Sequence, residues 1–254
     1  MLTESQINEY KQNGFVIPDF VMPENILLKI EERHNKLLKT HPEFKNYCPA
    51  VLSYDEGFLD FCKNEIILNF VEQLIGPNFA LWNSSFFAKP AIDGHATPWH
   101  QDGQYWPIRP LATCTVWLAI DDATIENGCL RFIKGSHIDQ KLKAHNINND
   151  KNLTLNQELV KEEYDEKKAV NLILKRGQIS LHDVYLVHGS EANSSPKARR
   201  AITMRFMPTS SQFDHQLARN NKLFSKLNAN KYSDRKVYHM RGIDVSQKNN
   251  LTYM

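Results

Sequence analysis

His100-Gln101-Asp102 and, far downstream, Val187-His188-Gly189-Ser190 followed by Arg199 are the residues of this 254-residue chain whose types and spacing point to chemistry. On an extended segment successive side chains face opposite ways, so His100 and Asp102 can hold one ion together while Gln101 points elsewhere. His188 lies in a stretch of strand formers, residues 180–189, and supplies a third donor once that strand is brought alongside. Two imidazole nitrogens and one carboxylate oxygen on one side of Fe(II) leave the opposite side open for a bidentate 2-oxo acid and for dioxygen. Asp102 offsets one of the two charges of the metal. Arg199 is always charged and its guanidinium forks onto a carboxylate, so it can hold the far end of a dicarboxylate co-substrate. Eleven residues separate it from His188, with Ser195-Pro196 between, which fits a hairpin return on the neighbouring strand.

Each of these residues has a rival. His182 and Asp183 are also ligand types, but only His188 is followed by Gly-Ser and by an arginine at this spacing. Arg200 and Arg199 face opposite sides of a strand, so one of them reaches the pocket, and Arg199 is the choice. Arg205 shares the face of Arg199 if the strand is regular and is expected at the pocket edge or in an outer ion pair. His95 and His137 read as loop or supporting residues. Trp117, inside the apolar run 113–120, is either core or pocket wall.

Together, His100-Gln101-Asp102, Trp117, the stretch from Asn127-Gly128-Cys129-Leu130 to Gly135-Ser136-His137, His188-Gly189-Ser190 and Arg199-Arg200-Ala201-Ile202 resemble the phytanoyl-CoA dioxygenase family of Fe(II)/2-oxoglutarate oxygenases. The likeness runs in order from Ala80 to Pro208. It implies a mainly β fold with flanking α-helices, a double-stranded β-helix (jelly roll, cupin-like). It implies His100, Asp102 and His188 as the catalytic metal ligands and Arg199 as partner of the 2-oxoglutarate C5 carboxylate. Ser190 becomes a second hydrogen bond to that carboxylate, Trp117 a wall of its pocket, and Gln101, between the ligands, a further co-substrate contact. The implied cofactors are Fe(II), 2-oxoglutarate and O2. Halogenases of this fold carry a small residue in place of the acidic ligand, and the presence of Asp102 speaks against halogenation.

Composition narrows the class. With 31 basic and 29 acidic residues, no concentrated basic field for nucleic acid is expected. Cys48, Cys62, Cys114 and Cys129 form no Cys-x-x-Cys pattern, so reduced thiols and a cytoplasmic location are expected. Neither a signal peptide nor an apolar run of about 18 residues is evident, so no membrane association is expected. Oligomeric state cannot be read from the chain.

The elements that must position these residues follow from pattern. Thr3-x-x-Gln6 is a capping box for a short helix ending at Asn13-Gly14, with a strand at 15–18. Pro23 precedes a helix through about residue 41, and a second long helix is expected over 58–75, stopped by Gly76-Pro77. From Ala80 the texture turns to short β-rich segments between Gly, Pro and Asn-Gly turns. One domain is therefore expected: a mostly helical cover at 1–79, a catalytic barrel at 80–208 and a C-terminal extension at 209–254. The Asn-, Lys- and Glu-rich segment 141–168 reads as a surface insertion, with a substrate lid as the alternative. Lys222, Lys226, Lys231, Arg235 and Lys236 read as a solvated helix face or as a patch that greets an anion.

Substrate is less legible. Trp99, Tyr105, Trp106 and Arg109 flank the metal motif, and Asn83, Phe86, Phe87 and Lys89 precede it. Aromatics beside an amide and cations suit a small polar metabolite, with an acid held by Lys89 or Arg109. No compact basic cluster fits a nucleotide diphosphate, so a small metabolite is favoured over an acyl-CoA. Readings from other classes are a zinc hydrolase on the same three donors plus water, and a non-catalytic module that senses 2-oxoglutarate.

Overall fold

A computed structural model describes residues 1–220 and 233–253; Lys222, Lys226 and Lys231 of the basic stretch lie outside the described residues. The helices are α1 (Glu4–Asn13), α2 (Glu24–Thr40), α3 (Leu59–Cys62), α4 (Glu65–Ile75) and α5 (His215–Asn220). The strands in chain order are β1 (Phe15–Val16), β2 (Tyr47–Cys48), β3 (Phe79–Lys89), β4 (Thr97–His100), β5 (Ile108–Arg109), β6 (Cys114–Ala119), β7 (Leu130–Ile133) and β8 (His145–Ile147). They continue as β9 (Gln157–Leu159), β10 (Ala169–Leu172), β11 (Ile179–Asp183), β12 (His188–Ser190), β13 (Arg199–Pro208), β14 (Gln212–Phe213), β15 (Val237–Arg241) and β16 (Leu251–Thr252).

The barrel is built from two facing sheets, the double-stranded β-helix expected. The larger runs β1-β11-β6-β13-β3-β15-β16, with β2 also on β3, and the smaller runs β10-β7-β12-β4. The N-terminal cover thus lends the sheet β1 and β2, and the C-terminal extension lends it β15 and β16.

Register decides which side chains enter the interior. His182 lies opposite Thr115, Thr115 opposite Arg205, and Arg205 opposite Asn83, forming one row across four strands. Two residues along, Ser180, Trp117, Thr203 and Ser85 form the next row. The intervening Leu181, Val116 and Met204 turn outward and, with Phe86 further along β3, join the core beneath the helices. Against them α2 buries Leu27, Ile30, His34 and Leu37, and α4 buries Ile67, Leu68, Phe70 and Val71. Each such aliphatic or aromatic side chain contributes roughly 1.5–3 kcal/mol by leaving water.

Local chemistry explains the helix ends. Thr3 and Gln6 form the reciprocal capping box of α1, and Gly14 ends it at φ 85°, a left-handed conformation that glycine adopts without steric cost. The long helix expected over 58–75 is instead a 3-10 turn (Glu56–Phe58), then α3, then α4. Asn64 makes the break, because its side chain accepts from the amides of Ile66 and Ile67 and so starts a new helix there. None of the described helices is long and apolar enough to cross a membrane.

Candidate active site

The segment expected to be one strand, 180–189, divides between the two sheets. His182 sits on β11 of the larger sheet and His188 on β12 of the smaller one, so their rings meet across the interior with centroids 5.2 Å apart. On the smaller sheet His188 is in register with His100, and their ring centroids are 4.1 Å apart. Gly189 permits this approach, since a Cβ there would lie 3.1 Å from the Thr97 carbonyl and 3.2 Å from the Trp99 ring. β4 ends at His100, Gln101 stays extended, and Asp102 opens a 3-10 turn, so the alternation still brings Asp102 back toward His100. One ligand atom from each of His100, Asp102 and His188 lies within 4.8 Å of the others, and all three residues are buried.

Hydrogen bonds aim the imidazoles. His100 Nδ1 is 2.8 Å from the Pro98 carbonyl and His188 Nδ1 is 2.8 Å from the Leu186 carbonyl. A carbonyl only accepts, so each Nδ1 carries the proton and each Nε2 offers its lone pair to the site. Burial and the neighbouring His100 hold His188 well below the usual imidazole value, which keeps it a neutral donor. Burial pushes the Asp102 carboxyl up, yet Arg205, His100 and His182 outweigh it and hold the group well below the usual carboxylate range. An anionic carboxylate and two neutral imidazoles are the donor set that a divalent cation takes.

Beyond the triad the same cavity continues past Thr97, Ser190 and Trp117 to Arg199. Arg199 is 1% exposed and stacks over Trp117 at 5.4 Å. Burial lowers its pKa to about 10, so it remains charged at neutral pH. Among the described residues, Arg199 Nε and Nη1 and Ser190 Oγ are buried without a hydrogen-bond partner, and Asp102 Oδ2 likewise accepts no hydrogen bond. Buried polar groups left in this way are costly unless a ligand meets them. A metal ion at the triad and a dicarboxylate reaching Arg199 would satisfy all of them, so the residues fit both groups. Arg199 does not arrive by the expected hairpin return: β12 pairs with β4 and β7, whereas β13 pairs with β3 and β6 in the opposite sheet. Arg200 turns outward and forks onto Asp121 at 2.7 and 2.8 Å.

Several expected contacts are not made. Gln101 does not line the cavity: its side chain donates to the carbonyls of Tyr185 and Lys141 and accepts from the Lys143 amide, because an extended Gln101 must face away from its two ligand neighbours. Lys89 stands opposite Arg199 in register but does not line the cavity, its ammonium lying on the His95 carbonyl. Arg109 is exposed and its guanidinium folds back on the carbonyls of Trp106 and Ile108, so neither cation is placed to hold a substrate acid. Tyr105 packs partly buried against the apolar cluster of Trp82 and Trp106. Trp99 faces outward, under Arg131 and Tyr164. Asn83 and Trp106 do stand at the inner wall. Asn83 donates to the Pro49 carbonyl and to Ser85 Oγ, and Trp106 lies 4.9 Å beneath Arg205.

Two residues matter more than their sequence signals suggested. Arg205, expected at an edge, is 3% exposed inside the cavity with Nη2 3.9 Å from Asp102 Oδ1. His182 lines the cavity too, with Nε2 3.6 Å from Asp102 Oδ2. Even spacing from Arg199 along one strand was the signal for Arg205. The signal for His182 was its ligand type next to Asp183, but which sheet each residue joins is a tertiary fact.

The phytanoyl-CoA dioxygenase (PhyH) family model matches residues 10–201. A phytanoyl-CoA dioxygenase domain-containing protein 1 homolog of Dictyostelium discoideum is 32% identical over 160 residues, covering 62% of this chain and 57% of that protein. Peroxisomal phytanoyl-CoA dioxygenase of Homo sapiens is 26% identical over 233 residues, covering 81% of this chain and 68% of that protein. Among solved structures, the non-heme monooxygenase ThoJ in its apo form superposes with a TM-score of 0.75 at 21% identity, covering 98% of this chain and 86% of its own. EvdO2 from Micromonospora carbonacea var. aurantiaca, complexed with 2-oxoglutarate, gives 0.69 at 20% identity over 82% of this chain and 91% of its own. At such identities the superpositions speak for the fold. With the family model matching residues 10–201 and the His-Asp-His triad and Arg199 lining one cavity, the chain belongs to the phytanoyl-CoA dioxygenase family of non-haem Fe(II)/2-oxoglutarate oxygenases.

Proposed function

We propose that this chain is an Fe(II)- and 2-oxoglutarate-dependent dioxygenase that hydroxylates, or otherwise oxidises, a small polar metabolite. The observation that carries the reading is one buried cavity holding the three convergent ligands at its centre and the unsatisfied Arg199 and Ser190 at one end. Iron with its co-substrate supplies the oxidation, in which 2-oxoglutarate and dioxygen yield succinate, CO2 and an oxidised substrate. The chain does the positioning. His100, Asp102 and His188 would hold the metal through two imidazole nitrogens and one carboxylate oxygen. Arg199, which lies over the Trp117 ring, and Ser190 would hold the far carboxylate of the co-substrate and so orient it. Burial excludes water from the cavity, which strengthens these charge interactions.

A second reading within the family, 2-hydroxylation of an acyl-CoA, is favoured by the likeness to proteins named phytanoyl-CoA dioxygenase. Succinate release measured with a panel of small polar metabolites and with straight- and branched-chain acyl-CoAs tests both. Turnover with the first panel is the expected result, turnover confined to acyl-CoAs selects the second, and absence of any 2-oxoglutarate consumption by iron-loaded protein overturns the proposal.

A further inference from the structure

Strand pairing accounts for two of the three ligands. His100 and His188 face each other in register on β4 and β12, and β12 is held in turn by β7. Asp102 lies past the end of β4, in the 3-10 turn Asp102–Gln104, so its distance from the imidazoles depends on what holds that turn. β4 is also the last strand in the order of the smaller sheet. A strand in that place leaves a row of amides and carbonyls to be met by something else.

The residue between the ligands meets that need. Gln101 is 0% exposed and extended, with φ −113° and ψ 130°. Its side-chain nitrogen donates to the Tyr185 carbonyl at 2.7 Å and to the Lys141 carbonyl at 3.0 Å, and its side-chain oxygen accepts from the Lys143 amide at 2.7 Å. Both donor hydrogens and the oxygen are engaged, and a buried amide satisfied in this way favours one arrangement over others. The Gln101 backbone N–H donates to His145 Nε2 at 3.1 Å. His145 Nδ1 lies 2.8 Å from the Lys143 carbonyl, so Nδ1 carries the proton and Nε2 is left to accept.

On the other side of Asp102, the Gly103 N–H donates to the Val184 carbonyl at 3.3 Å. The residues flanking Asp102 are therefore both tied to 184–185, the crossing that leads from β11 to His188. Next along, the Leu186 carbonyl accepts from His188 Nδ1. A short run of hydrogen bonds thus links the carboxylate ligand to the second imidazole through Gln101, Gly103, Val184, Tyr185 and Leu186, none of which lines the cavity. The insertion secures the start of β4 as well: the Thr154 N–H donates to the Ala96 carbonyl at 2.9 Å, and the hydroxyls of Thr154 and Thr97 meet at 2.8 Å.

We infer that Gln101, anchored by His145, is a positioning residue of the metal site: it holds Asp102 where its carboxylate, 3.7 Å from His100 Nε2, meets both imidazoles around one ion. This rests on the reading of the triad as a metal site. Gln101 touches neither metal nor co-substrate and acts through Asp102. The insertion 141–168 thereby belongs to the frame of the metal site.

The test uses the full chain loaded with Co(II), whose visible bands report the number and geometry of its ligands. Band positions and the rate of Co(II) release to excess chelator are recorded for wild type, Gln101→Met, His145→Phe and His145→Gln. Methionine is of similar size to glutamine but has no amide. Phenylalanine at 145 removes the acceptor, and glutamine there offers an amide oxygen in its place. The expected result is release about 10-fold faster in Gln101→Met, the scale on which groups that orient a ligand tune affinity, together with shifted bands. His145→Phe shows both effects in smaller measure, and His145→Gln returns both toward wild type. Wild-type release and bands in Gln101→Met overturn the inference. Faster release with unshifted bands overturns it too, because the ligands then keep their places and Gln101 only packs. Equal behaviour of His145→Phe and His145→Gln overturns the anchoring by His145. Where Gln101→Met does not fold, the two His145 variants decide, and wild-type release and bands in His145→Phe overturn the inference. Failure of wild type to bind one equivalent of Co(II) overturns the metal reading itself, a distinct outcome.

Discussion

Arg199 and His182 separate the two tasks of the cavity, holding the co-substrate and holding the metal. Arg199 is buried, charged and without a hydrogen-bond partner on Nε and Nη1, so its removal takes away the end-on grip on a dicarboxylate and leaves the triad intact. Arg199→Ala is expected to raise the 2-oxoglutarate requirement about 10- to 100-fold, read from succinate release against co-substrate concentration, with iron content unchanged. Unchanged 2-oxoglutarate dependence would remove Arg199 from the site. His182 lies beside Asp102, Nε2 to Oδ2 at 3.6 Å, where it can restrain the carboxylate. His182→Phe is expected to weaken metal retention about 10-fold, measured by competition with a chelator, because groups that orient a ligand tune affinity on that scale. Equal retention would make His182 a packing residue only. At this scale the sequence was informative wherever alternation applied: His100 and Asp102 converge, and Arg199 and Arg200 diverge. It was silent on Lys89 and Arg109, whose partners are backbone carbonyls that no spacing reveals.

Among the elements, the insertion 141–168 and helix α2 show how the barrel is braced. The insertion carries the β8–β9 hairpin and is fastened to the metal segment itself: Gln101 binds Lys141 and Lys143, the Gln101 amide donates to His145 Nε2 at 3.1 Å, and Thr154 meets Thr97 at 2.8 Å. Gln101→Ala deletes the two side-chain bonds to Lys141 and Lys143, so amide exchange across 141–145 is expected to accelerate by about 10-fold or more, and exchange no faster than wild type would show that other contacts hold the segment. Helix α2 brings His34 flat onto Phe86 of β3 at 3.8 Å, and among the described residues neither ring nitrogen has a hydrogen-bond partner. Burial first, and then Arg200, lower its pKa from 6.5 to about 4. Between those values the unfolded chain binds a proton that the folded chain refuses, so stability present above 6.5 is lost as pH falls toward 4. The loss approaches about 1.4 kcal/mol per pH unit at most. His34→Leu is expected to flatten that fall in melting temperature, and parallel curves for the two proteins would refute it. Periodicity located α1 and α2 well because their caps and apolar faces are local. It missed the break at Asn64 because the same residue is compatible with a helix interior until its side chain takes the Ile66 and Ile67 amides.

For the whole molecule, the decisive fact is that the site is assembled from both sheets. His100, Asp102 and His188 come from the smaller sheet and its exit, while Arg199, Arg205, Trp117 and His182 come from the larger. Crossing between sheets after Asp183 and again after Ser190 is what the chain order could not reveal, although the β-rich texture and turn signals made the jelly roll legible. Metal and co-substrate together should therefore bridge the sheets and stabilise the entire barrel. The most direct measurement is anaerobic titration of the iron-loaded protein with 2-oxoglutarate, followed by the visible charge-transfer absorption of a 2-oxo acid chelated to Fe(II). A saturable band in wild type that is lost in Asp102→Ala is the predicted result. No band from wild type with iron verified as bound would contradict the chelation on which the account stands, and would bring forward a zinc hydrolase or a non-catalytic binding module on the same three donors.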